Sequence, residues 1–123
     1  MPLELIEKQM NRMKLSEFQH KSLAEGRWQT LSLAEQLGNI GGEVNRAIRS
    51  RGDQKRFDNA VTRALELFDL TIGDPRWRKR LKEITRAREF FCDAIYGEGI
   101  YGTSLEDLNR YFLYFAYAAR AKR

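Results

Sequence analysis

The chain has 123 residues, 42% hydrophobic and 32% charged, which is enough for one domain with its own core; no linker or low-complexity stretch divides it. A single cysteine, Cys92, excludes a disulfide framework and a cysteine-based zinc site. The net charge of +5 favours polyanionic partners: nucleic acid first, then acidic proteins, then anionic lipid.

Nearly every segment follows the 3.6-residue period, and none sustains the alternation of a strand. Leu3, Ile6, Met10 and Met13 predict a short helix within an N-terminal arm, residues 1–27, ahead of a bundle over 28–123. Ser32 and Glu35 in "SLAE" form a capping box. Behind it, Leu33, Leu37, Ile40, Val44 and Ile48 make an apolar stripe that runs to a turn at "SRGD". The next helix opens at Asp53 and buries Phe57, Val61, Ala64, Leu65, Phe68 and Ile72 before Gly73. In "GDPRW", Asp74 suits an N-cap and Pro75 the first helical position. Trp77, Leu81, Ile84, Phe91 and Ile95 continue that helix to Gly97. Ser104 with Asp107 opens the last helix, which runs to the C-terminus. The fold class is all-α: an up-down-up-down four-helix bundle with a shorter N-terminal helix or arm.

Two features call for packing partners. The first is "LAEQLGNIGGEV", residues 33–44, where each glycine costs roughly 0.5–1 kcal/mol against alanine. Gly38 and Gly42 lie one turn apart beside the apolar stripe, with Gly41 nearer to it. They serve either close packing inside the bundle or a flat strip for a second subunit. The second feature is "YFLYFAYAA", residues 111–119, apolar or aromatic at every position. Leu105, Leu108, Phe112, Phe115 and Ala119 fill one core stripe, leaving Tyr111, Leu113, Tyr114, Tyr117 and Ala118 to face elsewhere. The N-terminal helix is one possible cover for them. A neighbouring subunit is preferred, with Gly38, Gly42, Tyr111, Tyr114 and Tyr117 as the expected oligomer interface.

The basic residues fall into two clusters. One surrounds the first turn of the bundle: Arg49, Arg51, Lys55 and Arg56, with Arg46 nearby. The other comprises Arg76, Arg78, Lys79, Arg80, Lys82 and Arg86, with Arg88 beyond it. In an up-down bundle these clusters lie at opposite ends, and Lys79, Lys82 and Arg86 form a stripe along one helix. Arginine-rich surfaces suit phosphate. No base-reading motif is present, so contact without sequence choice is expected.

Catalytic signals are weak. His20 lies outside the bundle, and Cys92 reads as a packed thiol. Glu66 and Asp69 in "ELFD" give one carboxylate pair where an all-helical nucleotide pyrophosphohydrolase needs two. Glu35 and Glu43, two turns apart, do not supply the second, because the capping box explains Glu35. There is no phosphate loop or nucleophile elbow. No catalytic residue, metal or cofactor is assigned.

The stretches "SLAEQLGNIGGEV" and "RALELFDLTIGDPRWR", set in a small basic bundle with surplus apolar surface, resemble accessory variability determinant proteins of diversity-generating retroelements. The chain is also similar to the four-helix-bundle proteins encoded within ribosomal RNA intervening sequences. The likeness covers roughly residues 30–120 and rests on architecture, length and charge. It implies a pentameric barrel that binds nucleic acid and a reverse transcriptase without doing chemistry itself. Arg78, Lys79, Lys82 and Arg86 would then be phosphate or partner contacts.

The expectation is a cytoplasmic, non-enzymatic homo-oligomer that binds RNA or DNA, with a reverse transcriptase as a partner and no membrane partner. The runner-up is an adaptor docking through its aromatic last helix, and the third reading is a carboxylate-metal nucleotide hydrolase.

Overall fold

Serine, aspartate and reciprocal acid caps set the starts of the helices in a computed structural model that describes residues 26–97 and 99–121. The expected helix around Leu3–Met13, His20 and the last two residues lie outside that range. Helix α1 (Leu33–Arg49) begins at Ser32, whose hydroxyl accepts from the Glu35 amide while Glu35 Oε1 accepts from the Ser32 amide, both at 3.1 Å. Helix α2 (Gln54–Ile72) begins at Asp53, which accepts from the Arg56 amide. Helix α3 (Leu81–Tyr96) follows a 3-10 segment, Pro75–Arg80. Helix α4 (Leu105–Ala121) opens on a second reciprocal cap, between Ser104 and Asp107.

The described residues form an all-α, four-helix, up-down-up-down bundle. Consecutive helices are antiparallel neighbours, and α4 returns to pack along α1. Most of the predicted stripes are buried: Leu33, Leu37, Ile40 and Val44 from α1; Val61, Ala64, Leu65 and Phe68 from α2; Ile84 and Phe91 from α3; and Leu105, Leu108 and Phe112 from α4. Ile48, Phe57, Ile72, Trp77, Ile95 and Phe115 pack half-buried against them, Ala47 is buried in addition, and Leu81 is exposed. Phe68 sits at the centre, with the Phe91 and Phe112 rings each 5.8 Å away in tilted and edge-on contact.

The helix expected from Asp74 to Gly97 is broken. Asp74 does cap, accepting from the Arg76 amide at 3.1 Å, but Trp77 leaves helical geometry at φ −105°, ψ 21°. The reason is tertiary. Gln36 of α1 is fully buried and accepts a 2.8 Å bond from the Trp77 indole N–H. Its own amide donates to Asp74 Oδ2 at 3.2 Å and to the Trp28 carbonyl at 2.9 Å. One glutamine thus ties three segments together and draws Trp77 inward, away from α-helical register.

The glycines of α1 face α4. A Cβ on Gly41 would stand 2.5 Å from Phe112 Cβ, and one on Gly38 would stand 3.2 Å from Ala116 Cα. Gly38 therefore serves close helix packing within the chain. Gly42 is exposed and its Cβ position meets nothing within 4 Å. The two neighbours should respond with opposite signs. Gly41→Ala overpacks α1 against α4 and should lose up to about 2 kcal/mol net, the difference between an overlap cost of ~1–3 and a helix gain of ~1. Gly42→Ala meets no clash and should gain about 0.5–1 kcal/mol. Urea unfolding of both variants checks this. The other demanding glycines are Gly99 (φ 70°) and Gly102 (φ 69°), whose left-handed backbone turns the chain into α4. Asp93 holds that loop by accepting from the amides of Ile100 and Tyr101, both at 3.3 Å.

Candidate nucleic-acid interface

The broken start of α3 places the cations that follow it. Arg76 itself is committed to the fold: its guanidinium grips Asp74 at 2.7 and 3.1 Å, donates to the Leu31 carbonyl at 2.9 Å and lies 4.4 Å over the Trp77 ring. The Arg76 hydrogen bond leads the causes that hold the Asp74 carboxyl down at about 2, far below the usual carboxylate range. Arg76 is thus a structural tie. Arg76, Arg78 and Lys79 lie in the 3-10 segment, before α3 begins.

Beyond that anchor, Lys79, Arg80, Lys82 and Arg86 line one side of a groove of about 610 Å3 between α3 and α4. Among the described residues Lys79, Lys82 and Arg86 have no ion-pair partner, and all three are exposed. Arg80 differs: it donates to Glu83 Oε2 at 2.9 and 3.0 Å. The other oxygen of Glu83 accepts from the Tyr111 hydroxyl at 2.9 Å. Burial and this bond push the Tyr111 phenol up to about 12. Tyr111 also meets Phe112 and Phe115 edge-on, at 5.1 and 5.2 Å between ring centres. Tyr111 is packed and hydrogen-bonded within the bundle.

The floor of the groove is apolar, built from Ala87 and Phe90 of α3 with Leu108 and Tyr111 of α4. Asp107 and Thr103 stand on the far wall. Sequence reading found the cationic stripe but not Phe90, Asp107 or the floor role of Tyr111. Only helix pairing brings residues near 110 against those near 87.

The other predicted cations lie elsewhere. Arg78 is exposed but does not line the groove. Arg51 pairs with Glu106 at the start of α4, and Arg56 lies 3.5 Å from Asp53. Arg49 and Lys55 are exposed near that same turn. There Arg46, Arg56 and Arg63 converge around Asn59 on a smaller cleft of about 370 Å3. Arg63, one turn beyond Asn59 on α2, was the member not anticipated. The Arg51–Glu106 contact ties this cluster to the start of α4, whereas the Arg76–Leu31 contact ties the 3-10 segment before α3 to the chain leading into α1.

The remaining apolar surplus lies on the outer face of α4, where Tyr114 is 77% exposed, Tyr117 61% and Leu113 40%. The carboxylate pair of the hydrolase reading is drawn into the fold. Asp69 accepts from Arg88 at 3.0 Å, and burial raises its carboxyl despite that partner. Glu66 is buried. Among the described residues no three His, Cys, Asp or Glu side chains gather as a metal site. The Cys92 thiol is half-buried, and burial pushes its pKa up, the opposite of an activated nucleophile. Among the described residues no helix is long and apolar enough to cross a membrane.

No protein-family model matches the chain, and neither the curated proteins nor the solved structures give a match. What stands of the resemblance is its coarser half: the chain is a four-helix, all-α bundle.

Proposed function

We propose that this chain is a non-enzymatic, self-assembling bundle that binds nucleic acid without sequence choice through the α3–α4 groove. The observation that carries the reading is the row of Lys79, Lys82 and Arg86, exposed on one groove wall and unpaired with any described carboxylate. Most other basic residues near the two clusters are offset by an acid: Arg46 by Glu43, Arg51 by Glu106, Arg56 by Asp53, Arg76 by Asp74 and Arg80 by Glu83. Cations left unpaired on a shared face attract a polyanion at little desolvation cost.

Self-assembly rests on the exposed Leu113, Tyr114 and Tyr117 of α4. A face of that composition is covered in most stable proteins. The likeness to the accessory variability determinant family adds a pentameric assembly and a reverse transcriptase partner to the proposal. The same aromatic face supports the second reading, an adaptor that docks a different chain. Tyr114→Ala with Tyr117→Ala separates the two: in the adaptor a foreign partner is lost, whereas in the assembly the protein's own mass falls.

Binding should follow counterion release. With three phosphates held by Lys79, Lys82 and Arg86, the logarithm of affinity for a single strand should fall with the logarithm of salt at a slope of about −2. Fluorescence anisotropy on a short labelled RNA across a salt series measures it. A slope near zero, or no binding at low salt, would remove the nucleic-acid reading.

A further inference from the structure

Resting on that reading, we infer that the α3–α4 groove holds an unpaired base, so that the protein prefers single-stranded to duplex nucleic acid. The groove is asymmetric in the way such a ligand requires. One wall carries the free cations Lys79, Lys82 and Arg86, the floor is apolar, and the far wall carries Asp107. Phosphates are therefore drawn to the α3 side, because the α4 side offers no free cation: Asp107 there is paired with Arg110 and caps with Ser104. A strand lying along α3 has its bases directed over the floor.

The floor is built to receive a flat ring. Ala87 and Leu108 are buried beneath it, and Phe90 and Tyr111 supply aromatic surface. Both rings are held in place. Phe90 meets Tyr101 edge-on with centroids 5.1 Å apart, and Tyr111 is fixed by its bond to Glu83 and by its contacts with Phe112 and Phe115. Preorganised aromatics of this kind stack bases with little regard to identity. A volume of about 610 Å3 leaves ample room for a base with its sugar. A duplex keeps its bases stacked inside and offers only phosphate to the rim.

An acidic amphipathic helix is the competing occupant for an apolar groove with a basic edge. It fits less well, because such a helix would find free cations on the α3 side alone, with Asp107 opposite already paired to Arg110.

The test uses the full chain and three labelled probes: a short thymidine strand, a strand of equal length and charge with abasic sites throughout, and a duplex of that length. At one moderate salt concentration, the thymidine strand should bind roughly 10-fold more tightly than the abasic strand. It should also outcompete the duplex. Phe90→Leu keeps the floor apolar but removes a stacking face. It should shrink the ratio between thymidine and abasic strands severalfold. Should Phe90→Leu fail to fold, photocrosslinking from 4-thiothymidine in the wild type should mark Phe90 or Tyr111. Equal affinity for the thymidine and abasic strands, with neither ring crosslinked, would overturn the base-binding inference and leave phosphate binding standing. Absence of binding by all three probes at low salt would overturn the parent reading as well. Binding of an acidic helical peptide that no strand displaces would overturn both.

Discussion

Gln36→Ala should lower the thermal midpoint by about 10 °C. Gln36 is fully buried and joins Trp28, Asp74 and Trp77, which come from three separate segments. Truncation leaves a cavity and strands the Trp77 indole N–H, which has no other hydrogen bond to a described residue. Asp74 keeps Arg76, and the Trp28 carbonyl keeps the Leu31 amide at 3.2 Å, so those two groups lose less. Cavity and orphaned donor together are worth about 2–4 kcal/mol. The consequence extends to the groove, because the same network fixes the 3-10 segment that carries Lys79. Nucleic-acid affinity should therefore fall with stability in Gln36→Ala, although the side chain lies outside the groove. Calorimetry and anisotropy on one preparation test both effects. An unchanged midpoint would mean that the start of α3 is held by Arg76 and Asp74 alone.

The legible parts of this fold were those written in local chemistry. Ser32 with Glu35, Asp53, Asp74, and Ser104 with Asp107 each announce a helix start through side chains three residues apart or fewer, and each caps as expected. The apolar stripes followed from periodicity. What escaped depends on residues far apart in the chain. Gln36 occupies a core position between Leu33 and Ile40, and its polarity conceals that role until Trp77 and Asp74 supply its partners. The break at Trp77 has no local cause for the same reason. The glycines posed the right question, but whether Gly38 faced its own α4 or another subunit turned on the position of Ala116.

The candidate site divides the same way. Lys82 and Arg86 share a face of α3 by spacing alone, and Lys79, in the preceding 3-10 segment, lines the same groove. Tyr111 was assigned outward because the core stripe of α4 seemed complete without it. Its bond to Glu83 shows that α3 covers that side of α4. Arg76 illustrates the converse: a cation in a basic run is assigned to a partner until its carboxylate is located in space.

The second large effect is also the most direct test of the central claim, that nucleic acid lies along the α3–α4 groove. Two variants with the same change in net charge are compared on one short single strand at fixed salt. One carries Lys79→Glu, Lys82→Glu and Arg86→Glu; the other carries Arg49→Glu, Lys55→Glu and Arg56→Glu at the opposite end. Each groove cation supplies a charge-assisted contact, so losing three should weaken binding on the order of 100-fold or more. The distal variant acts only through a screened field and should cost a few-fold. That asymmetry is the result the account predicts. Equal losses in the two variants would contradict it, leaving binding as a property of overall charge and not of the groove.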